Sequence, residues 1–181
     1  MRCAALLRGI NVGGRNKVAM ADLRALLSGL GHTDVATHLQ SGNAVFSTRR
    51  RDTDALAREV SEQLRADLGL DLRVLVRTHD ELARVVAANP MLAQAEAEPA
   101  RFLVVFLSAA PPADRLATLD AAAYAPDRLA VGERALYLWC PDSIRDSKLA
   151  ANVNDKRLGV TATARNWSTV QALLRLTGGG S

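Results

Sequence analysis

Apolar positions along this chain fall in short blocks whose period switches between two and about four, which predicts strands alternating with amphipathic helices. The first block, about Arg2 to Arg8, is apolar at nearly every position, as in a central strand covered on at least one face. Met20, Leu23, Leu26, Leu27 and Leu30 then form one helical stripe, closed by Gly31. Two short strands follow, Val35 to Gln40 and Ala44 to Thr48, with Ser41-Gly42-Asn43 between them as a hairpin loop. Leu56, Val60, Leu64 and Leu68 recur every four residues, so a second helix runs from about Thr53 to Leu68, capped by Asp52 or Thr53 and stopped by Gly69. Asp71 to Arg77 alternates, with Leu72, Val74 and Val76 on one face, as a half-buried strand.

That order of strand, helix, strand, strand, helix, strand is the split β-α-β arrangement of ferredoxin-like folds, an antiparallel sheet with both helices on one face. Thr78 with Glu81 three residues later is a capping box for a further helix, which Asn89-Pro90 closes. After an Ala/Glu-rich link the pattern resumes. It gives a strand at Arg101 to Leu107, a helix behind Pro111-Pro112, and a hairpin of Asp127 to Val131 with Arg134 to Trp139. A short helix from Leu149 to Leu158 and a last helix from about Ala164 to Leu176, capped by Thr163, complete it. The glycine-rich tail, Thr177 to Ser181, is expected to fray. The predicted class is therefore α+β, with two tandem ferredoxin-like (βαββαβ-type) halves. Residues 1–90 form the first, 91–100 a linker and 101–181 the second.

Composition narrows the function classes. Nearly half of the 181 residues are apolar but only 4% are aromatic, so the core is built from Leu, Val and Ala. The net charge of +4 arises from 23 basic and 19 acidic residues spread along the chain, a mild basicity that favours anionic partners. Arg49-Arg50-Arg51 is the one tight basic cluster and reads as a solvated loop ahead of a helix. Cys3 and Cys140 lie in apolar segments without CxxC neighbours and read as small buried residues of a reducing compartment. No secretory leader pattern and no membrane-length apolar run occurs, so a cytoplasmic, soluble protein is expected.

The stretch Leu7 to Val18, LRGINVGGRNKV, carries Gly9, Gly13 and Gly14 beside Arg8, Arg15 and Lys17, with no acid. Placed between a strand and a helix, such a loop can turn backbone N–H groups toward an anion. Its spacing meets neither GxGxxG nor GxxxxGK[ST], and glycines that serve only tight turns would look the same. Gln40, Ser41 and Asn43 surround the hairpin tip. Asn166 and Arg165, near the predicted start of the last helix, form a plausible anion-binding end. Trp167 reads as core. Candidate ligand contacts are therefore Arg8, Asn11, Lys17 and Arg165 to the anion, Gly13 and Gly14 through their amides, and Asn43 and Asn166 for orientation.

Four stretches together resemble the bacterial family called domain of unknown function 1697. They are LRGINVGGRNKV with MADLRALL (7–27), LQSGNAVFS (39–47), LYLWCPDSIRDSKL (136–149) and TARNWSTVQALL (163–174). The resemblance spans nearly the whole chain and implies two small α+β units in tandem. It implies no activity, cofactor or catalytic residue.

No metal site is expected, because His32, His38 and His79 are dispersed and without ligand spacing. No cofactor is implied, and no nucleophile elbow or carboxylate pair stands out. Phe46 is the only aromatic on the first and third strands, which argues against base stacking and a nucleic-acid partner. The leading expectation is binding of a small anionic ligand, phosphorylated or nucleotide-like. One alternative is a cofactor-independent enzyme on an anionic substrate, with His38 or Asp22 as titratable group. Another is a protein–protein interaction module.

Overall fold

The computed structural model describes residues 1–179 and divides the chain into two compact units, Met1–Ala83 with Ala172–Ser181, and Arg84–Gln171. The first unit holds β1 (Arg2–Leu7), α1 (Met20–Gly29), β2 (Thr33–His38), β3 (Asn43–Ser47), α2 (Thr53–Leu68) and β4 (Val74–Thr78). Its antiparallel sheet has the order β2-β3-β1-β4, the ferredoxin-like arrangement. Alternate residues Cys3, Ala5 and Leu7 of β1 pack with Phe46 and Val76 against Leu23 and Leu27 of α1 and Leu56, Val60 and Leu64 of α2. The intervening Ala4 and Leu6 are buried as well, which is why β1 is apolar at successive positions.

The helix signals work as expected. The Asp52 carboxylate accepts from the amides of Asp54 and Ala55 at 3.0 and 2.9 Å, and Gly69 ends α2 in the left-handed region at φ +66°. Thr78 and Glu81 form the reciprocal capping box, with N–H···O distances of 2.8 and 3.1 Å, at the start of α3 (His79–Ala87). The Ala/Glu-rich link contains α4 (Leu92–Ala97).

The second unit repeats the plan with β5 (Phe102–Leu107), α5 (Ala113–Ala117), β6 (Arg128–Gly132), β7 (Ala135–Trp139), α6 (Lys148–Asn152), α7 (Asp155–Leu158) and β8 (Ala162–Asn166). Its sheet order, β6-β7-β5-β8, matches the first. The chain ends in α8 (Trp167–Thr177), which closes with Gly178 N–H donating to Leu174 O at 3.0 Å. The expected frayed tail thus begins inside a helix and turn, and its last two positions lie outside the described residues.

The duplication extends to individual bonds. Leu7 N–H donates to Gly42 O at 2.8 Å, and Leu107 N–H to Arg134 O at 2.9 Å. Arg77 lies opposite Ala4 on the central strand, as Arg165 lies opposite Val104. Each arginine donates to the preceding residue's carbonyl, at 2.9 and 2.8 Å. Sequence identity does not carry the duplication; strand register does.

One element differs from expectation. Residues 164–166 belong to β8 and not to the last helix. Helix-forming Ala and Arg there are overridden by pairing with β5, which leaves no unpaired edge on that strand's inner side. The cap of α8 is accordingly Asn166, whose Oδ1 accepts from Thr169 N–H at 2.9 Å. Thr163, expected as the cap, points its Oγ1 into a buried place with no partner. Thr163→Val should therefore leave stability unchanged or raise it by up to about 1 kcal/mol in urea unfolding, since it removes a desolvated hydroxyl at constant shape.

Among the described residues no helix is long and apolar enough to cross a membrane.

Candidate functional site

Leu7 to Val18 folds into a small projecting hairpin. It stands on two apolar feet, Ile10 and Val18, which are 2% and 3% exposed. Between them residues 11–17 are all exposed. Gly13 and Gly14, at φ +57° and +75°, occupy the central positions of a type I′ turn closed by Arg15 N–H to Val12 O at 3.1 Å. Gly9, Asn11 and Asn16 also have positive φ. Every glycine and asparagine in the stretch thus meets a backbone demand, because these residues enter the left-handed region at least cost.

Asn11 is the staple. Its Nδ2 donates to Val18 O at 3.0 Å and to Gln40 O at 2.8 Å, and its Oδ1 accepts from Val18 N–H at 3.0 Å. Asn16 Nδ2 donates to Gly9 O at 3.0 Å, which ties the far arm. The bond to Gln40 sets the turn between β2 and β3 beside the hairpin. In that turn Leu39 stands 60% exposed at φ +58°, and Val12 of the hairpin is 68% exposed.

The expected site residues divide. Arg8, Asn11, Gly13, Gly14 and Lys17 share the hairpin. Arg8 is its half-buried root, where its N–H donates to Arg73 O at 3.0 Å. Asn43 is fully buried at the foot of the neighbouring turn and donates to His38 O and Ser41 Oγ at 3.1 and 3.0 Å. Its amide serves the turn. Arg165 and Asn166 belong to the other unit, on β8. Burial lowers the Arg165 guanidinium to about 10, a direction that marks it as partly desolvated. Asn166 spends its side-chain oxygen on the α8 cap. Sequence reasoning passed over Leu39, although an apolar residue directly before Gln-Ser-Gly was the signal for an exposed turn position.

The titratable candidates lie on other elements than the hairpin. Asp22 lines a groove of about 390 Å³ between α1 and α2, with Gln63 and Asp67. His38 sits on β2, its carbonyl bonded to Asn43. Burial pushes the Cys3 thiol up to about 11 and raises Cys140 also, so neither is poised as a thiolate. Phe46 is fully buried and stacks on His32 with centroids 4.5 Å apart, so it offers no face to a base. Among the described residues no three His, Cys, Asp or Glu side chains group to hold a metal.

A family model described as "Protein of unknown function (DUF1697)" matches residues 1–137. A conserved bacterial protein from Streptococcus pneumoniae has a similar structure, with a TM-score of 0.77 at 23% identity, over 97% of this chain and 98% of that one. The two RNA recognition domains of Sex-lethal from Drosophila melanogaster align over 91% of this chain and 98% of that one, at 11% identity and a TM-score of 0.24. No curated protein matches the chain.

Proposed function

Because the chain belongs to the family described as "Protein of unknown function (DUF1697)", whose description assigns no activity, we propose a function from the site itself: the hairpin binds a small anionic ligand, phosphorylated or nucleotide-like. The observation that supports this reading is a rigid, exposed hairpin bearing Arg15 and Lys17 above Arg8, with no acid from Leu7 to Val18. Its backbone is held by its own asparagines, so little ordering cost remains at binding. Arg15 and Lys17 supply the charge-assisted donors, and the amides of Gly13 and Gly14 the neutral ones.

Binding is tested by thermal shift and calorimetry with pyrophosphate, a sugar phosphate and mononucleotides, repeated at high salt. A specific ligand at one hundred times its Kd stabilises by about 2.7 kcal/mol. Lys17→Ala and Arg15→Ala are each expected to weaken binding about tenfold or more, the weight of one charge-assisted hydrogen bond. Unchanged affinity in both variants rejects the hairpin as the anion site.

Val12 and Leu39, two exposed apolar side chains on adjoining turns, favour a second reading, in which the same surface docks a partner protein. Loss of a captured partner on Val12→Asp, with anion binding absent from the wild type, would select it.

A further inference from the structure

At the other end of the first sheet the connections α1–β2 and β3–α2 border a half-open pocket of about 510 Å³. Register places it there: Ser47 of β3 lies opposite both Arg2 and Thr33, whereas the hairpin leaves from Leu7. Five residues of extended strand, roughly 16 Å, separate the two ends. The pocket is lined by His32, Thr33, Ser47, Thr48, Arg49 and Arg50, and by no carboxylate.

Two hydroxyls there can each give a hydrogen bond, and a histidine ring lies buried beside them. The His32 ring, 5% exposed, is clamped flat on Phe46, and its Nε2 has no partner. Ser47 Oγ already accepts from Arg2 Nη1 at 3.4 Å, and Thr48 Oγ1 from Arg50 N–H at 3.2 Å, so both hydroxyl protons remain to donate. Arg50 pairs with Glu59 of α2 at 2.5 Å, which fixes its guanidinium, while Arg49 makes no ion pair among the described residues. The buried ring is therefore held where a charge bound in the pocket would act on it through space.

We propose that this pocket binds a phosphate dianion, alone or as the monoester of a small organic molecule. Arg49 and Arg50 provide the countercharge, and Ser47 Oγ and Thr48 Oγ1 donate to its oxygens, with the His32 ring buried beside them. The volume exceeds that of phosphate alone and falls within the range of small-molecule sites.

The charged groups acting on His32 are Glu59 and Arg50, with Arg49 lining the same pocket. In the free protein, burial first of all holds its imidazole below the ordinary histidine range, with Glu59 opposing and Arg50 adding. A bound dianion reverses this. The test is an NMR titration of the imidazole resonances of the whole chain with inorganic phosphate and, separately, a sugar phosphate. His32 is expected to shift saturably and to titrate at higher pH when phosphate is present, with His79 unmoved. Arg49→Ala with Arg50→Ala should weaken the effect tenfold or more, and Lys17→Ala should leave it intact, which separates this pocket from the hairpin. Tighter binding of the sugar phosphate assigns an organic monoester; equal binding assigns free phosphate. An unmoved His32 at tens of millimolar of both ligands overturns the proposal, as does an undiminished shift in the double arginine variant.

Discussion

Gly42→Ala is expected to destabilise the protein by about 3 kcal/mol, more than any other single glycine replacement considered. Gly42 sits at φ +84°, where a side chain costs about 1–2 kcal/mol. Its added Cβ would meet Leu7 Cβ at 2.9 Å, the Leu7 carbonyl at 3.0 Å and Ile10 Cγ1 at 3.1 Å. Two of those atoms belong to or adjoin the backbone of the central strand, and Leu7 N–H donates to Gly42 O across the same contact. Neither side can move without opening that pair, so overpacking adds roughly 1–2 kcal/mol. Gly9→Ala is the internal comparison. Its φ is +69°, but nothing lies within 4 Å of its Cβ, so only the conformational cost of about 1 kcal/mol applies. Urea unfolding of both variants separates steric from conformational cost.

Asn11→Ala is expected to cost about 2–3 kcal/mol and to free the hairpin. It deletes three hydrogen bonds, each with a net worth of about 1 kcal/mol, less what water returns at this exposed position. It also puts alanine at φ +54°, a region that asparagine enters more readily. Asn11→Gly relieves the second cost and keeps the first, so it should lie between the wild type and alanine. Amide exchange of Val18, whose N–H donates to Asn11 Oδ1, reports the loosening directly. Anion affinity at the hairpin should fall with it, because the tip donors lose their fixed spacing.

The fold was legible where a local signal and the tertiary demand agreed. The apolar run of β1, the Asp52 cap, the Gly69 stop and the Thr78/Glu81 box each act in the structure as their residue types dictate. It was illegible at 164–166, where helix propensity and the spacing of Trp167, Val170 and Leu174 pointed one way and strand pairing with β5 decided the other. The hairpin showed its glycines in the sequence, but not that Asn11 and Asn16 hold it, since an asparagine that staples a loop and one that binds a ligand look alike. Asn43 shows the same ambiguity: the polar residue of a suggestive turn is fully buried and used internally. His32 and the Arg49-Arg50 pair gave no joint signal because they come from separate connections. Only the pairing of Thr33 with Ser47 brings them to one pocket.

The most direct measurement of the central claim is amide chemical-shift mapping of the labelled protein during titration with pyrophosphate and mononucleotides. The account predicts saturable shifts at Gly13, Gly14, Arg15 and Lys17 that vanish in Lys17→Ala. Saturable binding with those amides unmoved, or unaltered shifts in Lys17→Ala, would contradict it.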